Sequence, residues 1–421
     1  MVSVRNYGKA GIMDQESEFV AGIAAHADGT ALAAPEAGSL SPRLTLLLAM
    51  GCGLAVANVY YAQPLLDAMA DEFAISRTTV GAVMATTQVG YGLGLLLLVP
   101  LGDLLDRRHL IVGQLLLSVL ALVSVAVAPT GIALLAGTGL VGLLAVVAQV
   151  LVAYAATLAR PAERGYAVGT VTSGIVIGIL LARTVSGTLS DLFGWRSVYV
   201  ASAAATLMIA VLLARYLPRC PQRRTRLSYA GLIASVFTLF VEEPILRTRA
   251  TLALLIFAAM TMLWTPMVLP LSAPPFGLSH TEVGLFGLAG TMGALGASSA
   301  GRLADRGHAQ RATAAALAIM LVSWLPIALL SSSLGFLILG VITMDFGLQA
   351  VHVANQSLIY RVRPEAQNRL TGGYMIFYSI GSALGSGLST LVYAHAGWIG
   401  VCIAGATVSA VALIFWVLTR D

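Results

Sequence analysis

Gly102-Asp103-Leu104-Leu105-Asp106-Arg107-Arg108-His109 sets a dense charged knot between two long apolar runs. It returns 199 residues later as Gly301-Arg302-Leu303-Ala304-Asp305-Arg306-Gly307-His308, again between apolar runs. Gly, Leu, Asp and Arg occupy the same relative places in both copies. A chain that twice breaks its apolar course with Gly-x-Leu-x-Asp-Arg carries a duplicated device.

The surroundings of the knot say what kind of chain this is. The 421 residues are 58% hydrophobic and 10% charged, with a mean hydropathy of +0.88. A soluble domain carries about 25% charged residues. A soluble fold this apolar would leave large greasy patches in water, so the composition points to an integral membrane protein with the lipid bilayer as its solvent. The net charge of +5 does not imply a nucleic-acid partner, because the positive charges stand singly between apolar runs and form no basic patch. Cys52 and Cys402 lie inside apolar runs and Cys220 in a basic linker, which makes neither a disulfide framework nor a metal site. No metal-ligand cluster, nucleophile–base pair or phosphate loop is visible. Neither enzyme chemistry nor a cofactor is expected.

Residues 1–42 are Ala-, Gly- and acid-rich without sustained period and without a basic segment leading into an apolar core, so a disordered tail is expected. From Arg43 onward apolar runs of about 20 residues, the length that crosses the hydrocarbon core as a helix, follow one another. They cover 44–66, 78–101, 110–128, 131–157, 165–190 and 196–216, then 250–273, 282–301, 312–331, 333–360, 370–394 and 397–418. The expected fold is all-α: twelve transmembrane helices, because in lipid each segment must satisfy its own backbone. With the N-terminus inside, 21 of the 24 basic residues fall on inner segments, only Arg77 and Arg196 fall outside, and Arg183 lies within a span. The positive-inside rule then places both termini in the cytoplasm. Residues 217–249 read as a cytoplasmic linker. Its apolar piece Ser228–Val241 is too short to span and ends in Glu242-Glu243-Pro244, so an interfacial helix is expected there.

The linker separates an N-terminal six-helix half, 43–216, from a C-terminal one, 250–421. Phe73-Ala-Ile-Ser76 with Thr78, Val80 and Gly81 is echoed by Phe276-Gly-Leu-Ser279 with Thr281, Val283 and Gly284, at an offset of 203. Arg160-Pro161 and Gly194-Trp195 return as Arg363-Pro364 and Gly397-Trp398 at the same offset. Landmarks in the same order in each half indicate duplication, and parallel six-helix repeats with a site at their interface are a transporter architecture.

These residues carry a resemblance. Gly102, Leu104, Asp106 and Arg107 resemble the loop motif between spans 2 and 3 of the major facilitator superfamily, roughly G-x-L-a-D-r-x-G-r-k, while His109, Leu110 and Ile111 depart from its later positions. Gly301, Leu303, Ala304, Asp305 and Arg306 match it again. Within the superfamily, Asn58-Val-Tyr60-Tyr61-Ala-Gln63-Pro64-Leu65-Leu66 looks like the bacterial proton-coupled drug and sugar efflux permeases, as does the run through Gly174, Gly178, Arg183, Gly187 and Gly194-Trp195-Arg196. The resemblance implies a monomeric secondary transporter of the bacterial inner membrane. It implies alternating access and exchange of a small organic solute for protons, the proton gradient being the driving force. Uptake by the same fold is the alternative.

It also implies roles for residues. Gly102, Asp106, Arg107, Gly301, Asp305 and Arg306 would form a latch between the halves on the cytoplasmic side. The competing reading is a helix-end charge cluster. Glycines crowd the second, fifth, eighth and eleventh spans at spacings of three or four, which permits close backbone approach. The resemblance implies a moving interface, span 2 against 11 and 5 against 8. Asp345, Gln349, His352 and Gln356 fall on one stripe of the tenth span, with Asp345 near mid-membrane. An ionisable residue there costs about 2.5–3.5 kcal/mol on insertion scales and is a functional hypothesis by default. Asp345 and His352 are candidates for proton coupling, against a structural Asp–His hydrogen bond. Arg183 is the other buried charge, with Asp67 as candidate counter-ion, against outward snorkelling. Drug antiporters of the superfamily usually carry an arginine in span 4, where this chain offers Gln149 and Tyr154. The remaining cavity candidates are Asn58, Tyr61, Gln63, Gln88, Tyr91, Trp264, Tyr374 and Tyr378, and their amides and aromatics suit an amphipathic solute.

Overall fold

The computed structural model describes residues 41–160, 163–218, 228–290, 306–360, 362 and 367–420, with 293, 296, 299, 302 and 303 as isolated positions. The tail 1–40, Cys220, Arg363-Pro364 and, in the second knot, Gly301, Ala304 and Asp305 lie outside the described residues.

Every regular element described is a helix, and ten are long and apolar enough to cross a membrane. The N-terminal half comprises α1 (Pro42–Tyr60), α2 (Leu66–Phe73), α3 (Ala82–Leu97), α4 (Arg107–Ala126), α5 (Gly131–Ala145), α6 (Val147–Leu158), α7 (Arg164–Phe193) and α8 (Trp195–Tyr216). The linker helix is α9 (Tyr229–Glu242). The C-terminal half comprises α10 (Pro244–Trp264), α11 (Val268–Ser272), α12 (His280–Ala289), α13 (Ala309–Ala328), α14 (Leu334–Tyr360) and α15 (Gln367–Thr419), the last broken at Gly397.

Local chemistry explains the boundaries. Ser41 accepts from the Leu44 amide with Pro42 in the first turn, and Thr130 accepts from Ala133, each satisfying an orphan helix donor. Ser279 and Glu282 form a capping box at the start of α12. Gly194 and Gly397 sit at φ +82° and +61°, a region that side chains resist. Each starts a new helix at the following tryptophan, so the repeated Gly-Trp pair is one turn used twice. Trp195 Nε1 then donates to Glu72 Oε2 (2.6 Å) and Trp398 Nε1 to the Ile327 carbonyl (2.9 Å).

Two expected spans have different ends. The first does not stop at residue 66: Pro64 opens a 3-10 turn over Gln63–Leu65, and α2 carries the chain on to Phe73. The seventh starts at Pro244 rather than 250, which draws Arg249 out of the expected linker and into a helix, where it is 4% exposed.

Within the halves α1 packs on α7, α3 on α5, α10 on α15 and α13 on α14. Between them α7 packs on α12 and α3 on α15, the 5–8 and 2–11 pairing that the resemblance implies. The crowded glycines are mostly not at this moving interface. A methyl on Gly174 or Gly178 would run into the α1 backbone at Ala49 or Gly53, and one on Gly381 or Gly385 into α10 at Leu254 or Ala258. Small residues there fuse helices inside each half. Gly81, Gly92, Gly187, Gly284 and Gly287 face the other half, and Gly290 and Gly387 lie within van der Waals contact of it.

The linker helix α9 joins both halves. Tyr229 donates to the Leu97 carbonyl (2.8 Å), and Phe240 stacks on Phe377 of α15 with centroids 5.1 Å apart. Outward faces carry Leu120, Ile132 and Leu325, at 66%, 82% and 68% exposure, a surface suited to lipid rather than water.

Candidate functional site

The two buried charges meet through an indole. Arg183 of α7 is 3% exposed and Asp345 of α14 is 7% exposed. The Arg183 guanidinium lies 3.8 Å from the centroid of Trp264, over its ring, and 5.2 Å from that of Tyr60. Trp264 Nε1 donates to Asp345 Oδ1 at 3.2 Å. The indole therefore offers its electron-rich face to the cation and its N–H to the carboxylate. Arg183 belongs to the N-terminal half, and Trp264 and Asp345 to the C-terminal half. The glycines of α12 let them approach: a methyl on Gly287 would touch the Arg183 side chain (3.1 Å), and one on Gly290 would touch Asp345 Oδ2 (2.9 Å).

Arg183 does not pair with Asp67. Its Nε donates to Gln63 Oε1 at 2.6 Å, leaving Nη2 without a partner among the described residues. The 3-10 turn at Gln63–Leu65 ends the first helix before Asp67, which lies on α2 and meets His280 instead. Asp345 and His352 do not pair either. His352 Nδ1 meets the Tyr374 hydroxyl at 3.0 Å, and its ring stands edge-on to Phe257 with centroids 5.4 Å apart. The stripe divides accordingly: Asp345 and Gln349 lie against Gly290 and Gly293, and His352 faces α10 and α15. Gln356 is half-buried farther along α14.

Aromatic groups extend the central site across the halves. The Tyr60 and Tyr378 hydroxyls are 2.8 Å apart, Tyr91 stands edge-on to Tyr378 at 6.2 Å, and Gln149 Nε2 donates to the Tyr91 hydroxyl (3.3 Å). Gln88 is buried with Oε1 unpartnered among the described residues. Two candidates point elsewhere. Asn58 Oδ1 accepts from Ser202 of α8 (2.6 Å), and Tyr61 lies beside Ser202 and Tyr199 of the same helix. Both serve packing inside the N-terminal half.

The first knot is bonded only within its own half, among the described residues. Asp106 caps α4 by accepting from Arg108 N (2.8 Å) and His109 N (3.3 Å). Arg107 donates to the Gly102 carbonyl (3.0 Å) and Thr157 Oγ1 (2.7 Å), and Arg108 to the Ala214 carbonyl (2.5 Å). In the second knot, Arg302 reaches Ser299 Oγ (3.3 Å).

At the opposite end the halves are clasped. His280 Nε2 lies 3.0 Å from Asp67 Oδ1 and its Nδ1 lies 2.9 Å from Asp191 Oδ1. Asp191 also accepts from the backbone of His280 (3.1 Å) and Thr281 (2.7 Å), so a carboxylate of one half caps the first turn of a helix of the other. Hydrogen bonding to Asp67, reinforced by Asp191, raises His280 from 6.5 to about 9 against the opposing effect of burial. Thr390 Oγ1 donates to the Thr78 carbonyl (3.2 Å) near the same end. His280 was visible in the sequence only as a letter of the repeated Phe276–Gly284 landmark. Its copy in the first half is Arg77, so periodicity alone could not mark the imidazole as a bridge.

Residues 47–364 and 276–421 match the family model of the Major Facilitator Superfamily. The chain belongs to this superfamily. It is 48% identical to the "Uncharacterized transporter YgaY" of Escherichia coli O157:H7, over 90% of this chain and 95% of the relative. It is 33% identical to the transporter SCO4007 of Streptomyces coelicolor, over 86% and 84%. In fold it is similar to a bacterial homolog of the human lysosomal transporter Spinster in an inward-facing, occupied conformation. That match has a TM-score of 0.74, with 15% identity, over 91% of this chain and 98% of that one. It is also similar to the nucleoside transporter NupG (TM-score 0.71, 16% identity, 89% and 99%). The protein is thus a multi-pass membrane transporter of the major facilitator type, moving small solutes through membrane-crossing helices.

Proposed function

We propose that this transporter is a proton-driven antiporter that exports small amphipathic organic molecules. One observation carries the reading: a cation and a carboxylate, both buried in membrane-spanning helices of opposite halves, share one indole. Each charge is costly at that depth, about 2.5–3.5 kcal/mol on insertion scales, and neither forms a salt bridge among the described residues. A proton arriving at Asp345 removes the charge that attracts Arg183 and weakens the hold of α7 on α12 and α14. Solute in the aromatic and amide site (Tyr60, Gln63, Tyr91, Gln149, Trp264, Gln349 and Tyr378) restores contacts between the halves. Proton and solute then compete for one closed state, which is the condition for exchange.

The topology in this reading is twelve spans, with α15 crossing twice around Gly397 and α12 opening the eighth. Both termini and the knots face the cytoplasm of a bacterial inner membrane, where the arginines gather. The clasp at His280 then closes the outer side, and the knots stand in the state in which a cytoplasmic latch is released.

The test is reconstitution into vesicles loaded with a pH-sensitive dye, challenged with lipophilic cations, neutral sugars and organic acids. Solute-dependent proton flux opposite to solute movement is expected, and Asp345→Asn abolishes it while folded protein stays in the membrane. Unaltered pH dependence in that variant removes Asp345 from coupling. Flux in the same direction as solute would establish uptake instead.

A further inference from the structure

Outside the Arg183–Asp345 site, a buried cation and a buried amide with unsatisfied atoms lie on the knot side of the C-terminal half. Arg249 of α10 is 4% exposed, and its Nη1 has no hydrogen-bond partner among the described residues. Asn355 of α14 is fully buried, with neither amide atom partnered among the described residues. Tyr374 of α15, also fully buried, stands between them: its hydroxyl holds His352 Nδ1 at 3.0 Å, lies beside the Asn355 amide without meeting hydrogen-bond geometry, and interacts electrostatically with Arg249. Three helices thus bring a guanidinium, an amide, a phenol and an imidazole to one place, with Arg249 Nη1 and the Asn355 amide lacking hydrogen-bond partners among the described residues.

That is costly for a structural cluster. An unpaired buried polar group costs about 1–3 kcal/mol and a charged one more, and α10 holds no acid near Arg249 to relieve it. A ligand oxygen would. The donor set is that of a carboxylate site: a guanidinium fork matches a carboxylate in shape and charge, with the Asn355 amide available to the same oxygens, and the Tyr374 hydroxyl too in the tautomer in which His352 Nδ1 carries the proton and donates to it. A single unpaired cation suits one negative charge and not a phosphate dianion. The wall beyond it is apolar and aromatic. Phe257 stands edge-on to both His352 (5.4 Å) and Tyr378 (4.2 Å), leading from the cluster toward the central tyrosines. His352 lies seven residues from Asp345, about 10 Å along the helix at 1.5 Å per residue, a span that a ring-sized ligand body covers.

We infer that Arg249, Asn355, Tyr374 and His352 form a binding site for the carboxylate of an apolar, aromatic monocarboxylic acid, whose body lies against Phe257 and Tyr378. This rests on the transporter reading and names the class of solute that it carries.

Equilibrium binding without any gradient tests the site, so its failure would not bear on proton coupling. Purified full-length protein is titrated with benzoate and with the neutral isostere benzamide, followed by calorimetry and by thermal stabilisation. Saturable benzoate binding, at least tenfold tighter than benzamide, is expected. Arg249→Gln should weaken benzoate at least tenfold and abolish the preference over benzamide, and Arg249→Lys should retain part of both. Asn355→Leu removes the amide without touching the charge and should weaken benzoate severalfold, which keeps the test open if Arg249→Gln folds poorly. No saturable benzoate binding, equal affinity for benzamide, or wild-type affinity in Arg249→Gln would each overturn the assignment.

Discussion

Replacing His280 by Asn should free the end of the molecule opposite the knots. In the clasped state the imidazole lies between Asp67 and Asp191 and titrates at about 9 rather than 6.5. At about 1.4 kcal/mol per pH unit that rise corresponds to roughly 3 kcal/mol. His280 and its two acids are 23%, 23% and 26% exposed, so solvent screening reduces the clasp to about 1–2 kcal/mol. Because the clasped pKa is raised, the stabilisation is fully present below pH 6.5 and is lost as pH climbs through 9. A Cys-substituted background labelled at Arg77 and Ser332, exposed positions on opposite halves, reports the separation by double electron–electron resonance. Wild-type protein should favour the short distance at pH 6 and lose it towards pH 9.5. His280→Asn should shift the population about 5- to 30-fold towards the long distance at pH 6 and respond little to pH over that window. Identical distributions in both proteins, with no change between pH 6.5 and 9, would refute the clasp.

Trp264→Phe keeps a ring beside Arg183 and deletes the donor to Asp345. A hydrogen bond to a charged group is worth about 1.5–3 kcal/mol, so gradient-driven transport should fall at least tenfold with melting temperature nearly unchanged, measured in vesicles and by thermal unfolding. Gly178→Leu drives a side chain into the α1 backbone and should remove most folded protein from the membrane. Gly169→Ala, with open space around the new methyl, should express normally in the same detergent-extraction assay. Asp106→Asn preserves a helix cap and should cost stability little, whereas Asp106→Ala loses it and about 1 kcal/mol. Slow turnover in both would place the acid in the conformational cycle, and normal turnover in Asp106→Asn would leave it a cap.

Much of the architecture was legible from residue order alone. Apolar run length marked the spans, the recurring Gly-Trp pair marked the duplication that the structure shows as a positive-φ turn in each half, and the Glu242-Glu243-Pro244 stop marked a linker helix too short to cross. The site was legible only as residue types. Arg183 and Asp345 were singled out as charges in lipid-crossing runs and Trp264 as a cavity candidate, yet their mutual arrangement was not legible. Asp67 was the candidate counter-ion of Arg183, and an Asp345–His352 hydrogen bond the alternative to proton coupling, since each pair is close in depth or along a helix. Asp67 meets His280, Arg183 meets Gln63 and His352 meets Tyr374 instead, and Arg249 was hidden because a charge near a linker looks like any other arginine between spans.

Sequence by itself determined the all-helical, membrane-crossing class of the fold, because run length and turn glycines act within one segment and need no knowledge of neighbours. Tertiary structure alone decided which charges meet. A helix fixes the depth and direction of a side chain but not the partner across the interface, and that choice lies with the small residues that let one backbone approach another.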